Sequence, residues 1–153
     1  MSEKRDCMLV VDLEATCWRG PAPDGMANEI IEIGLAVVDG RTKNIIETDS
    51  LIIKPEYSTL SPFCTELTSL TEEYVWGKYD YNQLRKDCAK KGVPFPFSEN
   101  HYNLKPLFSF KHGINKDLGV SSALDHLKMP FEGTHHRGVD DAINIARLLK
   151  TMF

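Results

Sequence analysis

The sequence has no excess of positive charge. It carries 18 Lys and Arg against 22 Asp and Glu, a net charge of −4, so no broad basic field marks a polyanion-binding surface. This weighs only weakly against nucleic acid, because a site that gathers carboxylates drags the total down. No apolar run approaches the length of a membrane span, and the charged stretch from Met1 to Asp6 leads into no signal-peptide core. The four cysteines (Cys7, Cys17, Cys64 and Cys88) are scattered, with no zinc-type spacing, and a chain of 153 residues needs no disulfide staples. Reduced thiols, no membrane and a cytoplasmic location (nuclear in a eukaryote) are therefore expected. Internal repeats and low-complexity segments are absent too. What remains, 42% hydrophobic and 26% charged residues, excludes disorder and suits a single domain with a proper core.

The chain is organised around Met8-Leu9-Val10-Val11-Asp12-Leu13-Glu14-Ala15-Thr16-Cys17-Trp18, an apolar run that ends in two acids. Leu9, Val10 and Val11 read as a strand buried on both faces, as in a mostly parallel sheet. Side chains alternate along a strand, so Asp12 and Glu14 share a face. Two carboxylates held together at a buried strand end repel each other, and a divalent cation is the simplest way to stabilise them. Taken alone, an Asp-x-Glu is more often a strand leaving the core with its acids solvated. The other end of the chain changes that balance.

A Gly- and Pro-rich loop runs from Arg19 to Gly25. Glu29 to Val38 is a second, largely buried strand. Asp39-Gly40 marks a tight turn into a third, Asn44 to Lys54, giving an antiparallel hairpin. Ser61-Pro62 starts a helix, and Ser69-Leu70-Thr71-Glu72 has capping-box spacing, so Ser61 to Val75 reads as two short helical pieces. Trp76-Gly77-Lys78-Tyr79-Asp80 reads as the end of another strand. Helices are expected over Tyr81–Lys91, closed by Gly92, and over Leu104–His112, Ser121–Lys128 and Val139–Met152. This order predicts an α/β fold with a mixed sheet. One junction is odd: helical Glu72 to Val75 runs into strand-like Trp76-Gly77 with no turn residues.

The loop before the last helix reads His135-His136-Arg137-Gly138-Val139-Asp140-Asp141. His136 stands five residues before Asp141, which falls in the first helical turn. A flexible loop then carries a base while a rigid helix carries an acid. Acids in a first turn also satisfy free N–H groups and the helix dipole. Asp140 is assigned that capping role, and His135 an exposed place in the loop.

Together these pieces resemble the DEDDh 3′-to-5′ exonucleases, the superfamily of proofreading exonuclease subunits and ribonuclease T, with a ribonuclease H-like fold. The resemblance is closest to the branch of histone-mRNA and small-RNA-processing exonucleases. It is carried by V-V-D-L-E-A-T-C-W (10–18), E-I-I-E-I-G (29–34), L-S-P-F-C-T-E-L-T-S-L-T (60–71), W-G-K-Y-D-Y-N-Q-L (76–84), N-L-K (103–105) and H-R-G-V-D-D-A-I-N-I-A-R-L (136–148). These stretches are collinear and span nearly the whole chain as one domain.

The resemblance implies roles. Asp12, Glu14, Asp80 and Asp141 are its four acids and His136 its histidine. Hard carboxylate oxygens suit Mg²⁺ or Mn²⁺. Two such ions, about 3.5–4 Å apart, would clamp the attacking and leaving oxygens of an in-line phosphoryl displacement. Asp12 would serve both ions and Asp80 would act through water. His136, with an ordinary pKa near ~6.5, would take a proton from the attacking water, so the rate is expected to fall below about pH 6.5. The expected substrate is the 3′ end of single-stranded RNA or DNA, and the product a nucleoside 5′-monophosphate. The backbone around Leu13, Glu14, Ala15 and Thr16 would face the terminal nucleotide, Phe63 and Leu67 would border its base, and Arg137 would meet a phosphate. For Phe63 and Leu67 core packing weighs equally. Trp18 and Trp76 are as readily core tryptophans as base-stacking ones, and Lys105 and Lys111 are more readily solvated than phosphate-binding.

The sequence departs from the family in one place. Between the Thr71 helix and Trp76 the family carries another helix and most of a central strand, and here that stretch is absent. The sequence reads as if the segment were left out, with a break expected between Val75 and Trp76. A truly shortened domain would be a catalytically impaired nucleic-acid-binding module. An RNase H-like endonuclease is a third reading, and the loop histidine argues against it.

Overall fold

The structure, a computed structural model, describes residues 7–67, 78–96 and 102–153. Three strands, β1 (Cys7–Ala15), β2 (Ile30–Asp39) and β3 (Ile45–Ile52), form a sheet in the order β1-β2-β3. Among the described residues both pairings are antiparallel. The described helices are α1 (Pro62–Leu67), α2 (Lys78–Lys91), α3 (Leu104–Lys111), α4 (Val120–His126) and α5 (Gly138–Lys150).

Alternation along the strands decides what packs where. Val10, Ala36 and Val38 face α5, which answers with Ala142, Ile145, Ala146, Leu148 and Leu149, the stripe of an amphipathic helix. Phe108 of α3 and Ala123 and Leu124 of α4 complete this core. Each fully buried Leu or Ile here contributes about 1.5–3 kcal/mol. On the opposite face Leu13 and Ile30 pack against Leu84 and Cys88 of α2, with Ile33, Ile53 and Phe95 at the margin.

The expected hairpin of the second and third strands is present, but its connection is longer than a two-residue turn. Asp39 Oδ1 accepts the N–H groups of Arg41 and Thr42, and Lys43 turns the chain with a φ of 60°. The first helix starts as expected: Ser61 Oγ accepts the Cys64 N–H at 2.8 Å. The same hydroxyl donates to the Cys17 carbonyl at 2.7 Å, which pins α1 to the segment after β1. Gly92 and Gly113 close α2 and α3 with φ of 65° each.

Two expectations are corrected. Among the described residues β1 is not buried on both faces: Leu9 is 48% exposed, and α2 packs on the sheet near Leu13. Lys78 to Asp80, read as a strand end, form the first turn of α2. The buried residues Asp80, Gln83, Leu84, Asp87 and Cys88 recur at the spacing of one helical face. Three of the five are polar, so the face carries little apolar signal. The expected helical piece from Ser69, Trp76, and the Val75–Trp76 junction lie outside the described residues.

One contact fixes the site. Gly34 of β2 pairs with Asp12, and a Cβ on it would lie 1.8 Å from the carbonyl carbon of Gly138. Only glycine allows this approach of backbones, and it sets the first turn of α5 directly on the sheet.

Candidate active site

Alternation along β1 turns Asp12 and Glu14 to one face, as expected, and it is the face on which α5 packs. Asp80 arrives from the first turn of α2 and Asp141 from the first turn of α5. All four acids are buried, Asp12 completely. Burial is the main reason that Asp12 resists ionisation, followed by the charges of Asp80, Asp141 and Glu14. Asp80 is likewise pushed well up by burial and then by Glu14. The Glu14 carboxyl is pushed up to about 8 by burial, then by Asp141 and Glu32. Asp141 rises to about 7, again by burial first.

His136 sits in the loop entering α5 with a φ of 66°, a backbone state uncommon outside glycine. Its N–H donates to Asp141 Oδ2 at 2.6 Å, which holds the bend. Glu14, His136 and Asp141 offer ligand atoms that all lie within 4.8 Å of one another. Burial, and then the neighbouring His135, lower the His136 imidazole to about 4.

The cluster fits a divalent cation. Both oxygens of Asp12, Oε1 of Glu14 and Oδ1 of Asp80 are buried without a hydrogen-bond partner among the described residues, and orphaned buried carboxylate oxygens are costly. Hard oxygen donors suit Mg²⁺ or Mn²⁺.

The neighbouring positions are placed as follows. Leu13 points into the α2 core. Thr16 is buried and internally bonded: its N–H donates to the Glu29 carbonyl at 2.8 Å, its hydroxyl accepts the Glu29 N–H, and its carbonyl accepts from Asn28. Ala15 is half-buried, as is Phe63, which lies under the Arg19 guanidinium at 5.2 Å. The Leu67 side chain lies outside the described residues. Asp140 does not cap α5; its Oδ2 accepts the Thr134 N–H at 2.8 Å and braces the loop against Gly133. His135 is half-buried and stacked on Phe131 at 3.6 Å, with Nε2 3.1 Å from Ser121 Oγ. An aromatic neighbour within the loop removes it from the exposed place expected of it.

Two residues escaped the sequence reading. Glu32 is buried opposite Glu14 in the strand register; an acid inside the apolar run E-I-I-E-I-G was the available signal. Tyr79, next to Asp80, has its phenol pushed up to about 12 by burial and then by Asp80. It became visible only once Asp80 was placed on a helix.

Four buried acids and a half-buried histidine, brought together by a strand and two helices, form a carboxylate site of the kind that holds divalent cations. The chain belongs to the RNase T exonuclease family, whose model matches residues 9–90, a span that contains Asp12, Glu14 and Asp80. It is 31% identical over 180 residues to mouse ERI1 exoribonuclease 3 (94% of this chain, 52% of that protein). It is 27% identical over 183 residues to human 3′-5′ exoribonuclease 1 (96% and 52%). The chain thus spans about half the length of these relatives, and the matched stretches are longer than its own 153 residues. Among solved structures it resembles the nuclease domain of 3′hExo, a DEDDh family member bound to rAMP. The TM-score is 0.80, with 24% identity over 98% of this chain and 92% of that one. That likeness is one of fold, and it makes the architecture ribonuclease H-like, as expected. No described helix is long and apolar enough to cross a membrane.

Proposed function

We propose that this domain is a 3′-to-5′ exonuclease that uses two divalent cations, Mg²⁺ or Mn²⁺. It trims single-stranded RNA or DNA from the 3′ end and releases nucleoside 5′-monophosphates. The observation that carries this reading is the set of buried carboxylate oxygens of Asp12, Glu14 and Asp80 left without partners among the described residues. Asp12, Glu14, Asp80 and Asp141 would hold the ions. When bound, the cations would neutralise this cluster and stabilise charge building up on the phosphate.

The remaining work falls to the chain's own residues. His136, kept neutral by its half-burial, accepts a proton from the water that attacks the last phosphate. The water oxygen bonds to phosphorus while the bond to the 3′-oxygen of the preceding nucleotide breaks. Arg137, at the mouth of the cluster, offers its guanidinium to the phosphate. The backbone from Leu13 to Thr16, with Phe63 of α1, forms the side on which the terminal nucleotide rests.

The test uses 5′-labelled single-stranded RNA and DNA with Mg²⁺, Mn²⁺ or EDTA, against wild type and Asp12→Ala. The expected result is a metal-dependent ladder shortening from the 3′ end, absent in Asp12→Ala, with circular substrate left whole. Cleaved circles would point to an endonuclease. A second reading, a nucleic-acid-binding module without catalysis, draws support from the greater length of the matched stretches in the relatives. Binding without cleavage would establish it.

A further inference from the structure

Glu32 is the acid of this cluster that no step above uses. It is buried and stands opposite Glu14, yet it differs from Asp12, Glu14 and Asp80 in having both oxygens engaged. Ser50 Oγ donates to Oε1 at 2.6 Å, and Arg137 Nε donates to Oε2 at 3.4 Å. Its Cγ lies 3.3 Å from where a Cβ on Gly138 would stand, so the side chain is wedged against the start of α5. A carboxylate occupied on both oxygens is poorly disposed to hold a cation and well disposed to hold a side chain.

The side chain it holds is that of Arg137, which is 47% exposed. The bond engages Nε alone, and neither terminal nitrogen makes a bond among the described residues. The guanidinium is therefore anchored by its inner edge and presents its outer fork to solvent beside His136. Such a fork grips phosphate oxygens through paired, charge-assisted hydrogen bonds. A fork whose stem is already fixed gives up less freedom on binding than a loose one.

We propose that Glu32 is a positioning residue. Steadied by Ser50, it aims the Arg137 fork at the phosphate of the 3′-terminal nucleotide, and it holds no metal ion itself. This assignment rests on the exonuclease reading above.

The experiment measures binding of a short 5′-fluorescent single-stranded RNA in Ca²⁺, and its trimming in Mg²⁺. It compares wild type, Glu32→Gln, Ser50→Ala, Arg137→Ala and both double variants, with Mn²⁺ affinity followed by electron paramagnetic resonance. Glu32→Gln is expected to weaken RNA binding about three- to tenfold, the scale of one imperfectly held charged hydrogen bond. Ser50→Ala weakens it less. Neither weakens it further once Arg137 is Ala, and Mn²⁺ affinity falls far less in Glu32→Gln than in Glu14→Gln, because Glu32 reaches the cluster only through its charge. Equal losses with and without Arg137 would overturn the proposal, as would a fall in Mn²⁺ affinity as large as that of Glu14→Gln, which would make Glu32 a ligand. Should Glu32→Gln fail to fold, Ser50→Ala carries the same comparison. A wild type that neither binds nor trims RNA refutes the exonuclease reading itself. An active wild type with silent Glu32→Gln and Ser50→Ala removes only the positioning role.

Discussion

Replacing Gly34 by Ala attacks the site without touching any acid. The new Cβ would lie 1.8 Å from the Gly138 carbonyl carbon, 2.0 Å from its oxygen and 2.3 Å from the Val139 nitrogen. All three are backbone atoms, so no side chain can swing aside. To restore ordinary contact, strand and helix must part by roughly 1.5 Å. Overpacking of this kind costs about 1–3 kcal/mol. For a domain of this size that lowers Tm by about 3–10 °C. The effect on chemistry is larger, because the shift separates Asp12, paired with Gly34, from Asp141 in the first turn beyond Gly138. Misplacing catalytic groups by ~1 Å can cost about a hundredfold in rate. A loss of that order is expected for Gly34→Ala, measured as 3′-end trimming at saturating Mg²⁺ and well below the variant's Tm. Gly138→Ala is the graded comparison: its Cβ would meet Gly34 N at 3.0 Å and Glu32 Cγ at 3.3 Å, which asks for a much smaller adjustment. Gly119→Ala is the control, with nothing within 4 Å; at this helix cap it costs under about 1 kcal/mol and leaves the rate alone. A Gly34→Ala protein as stable and as fast as wild type would refute the reasoning. So would a series in which Tm falls in the expected order while the rates stay equal.

Three further outcomes are expected. In metal-free protein Glu14 and Asp141 titrate near about 8 and about 7, above their ordinary 4.5 and 3.8. The fold therefore keeps protons that the unfolded chain has released, and stability falls as pH rises from about 4 to about 8. Calorimetry in EDTA should show Tm dropping across that window and Mn²⁺ recovering it at the alkaline end; a metal-free Tm that climbs with pH would contradict this. Asp12→Asn removes a fully buried charge that has no hydrogen-bond partner among the described residues, so it should abolish trimming without lowering the metal-free Tm at alkaline pH, a split that a merely structural aspartate would not give. Burial and His135 lower His136 to about 4, so the acid limb of the rate should lie below the pH 6.5 expected from sequence; a limb at the ordinary histidine value, or one unchanged in His136→Ala, would remove the base assignment.

The sequence exposed the parts of the site that lie close together in the chain. Asp12 and Glu14 share a face because strands alternate, and His136 and Asp141 flank a helix start, so both pairs were legible from spacing. The hairpin and the C-terminal helices were legible from turn residues and periodicity. Asp80 was placed on the wrong element because its helix buries a polar face. Asp87 on that face accepts the Ile30 N–H at 2.7 Å, and Gln83 donates to Asp87 and to the Asn28 carbonyl. Their backbone partners, Ile30 and Asn28, are remote in sequence, so no local pattern announces them. Glu29 is similar: it is buried, and its carboxylate accepts the N–H groups of Glu56 and Tyr57 and meets Lys91 at 3.4 Å. The pairing of Glu32 with Arg137 and the glycine contact under α5 join the second strand to the last helix. Neither residue of either pair is unusual by itself.

That glycine contact also orders events in time. The hairpin of β2 and β3 and its pairing with β1 draw only on the first third of the chain, and such nearby pairings form readily. The acid cluster cannot close until α5 has emerged and docked on Gly34, because Asp141 and His136 arrive with it. A nascent chain, which releases its N-terminal residues first, carries Asp12, Glu14 and Asp80 without a site for as long as α5 has yet to emerge.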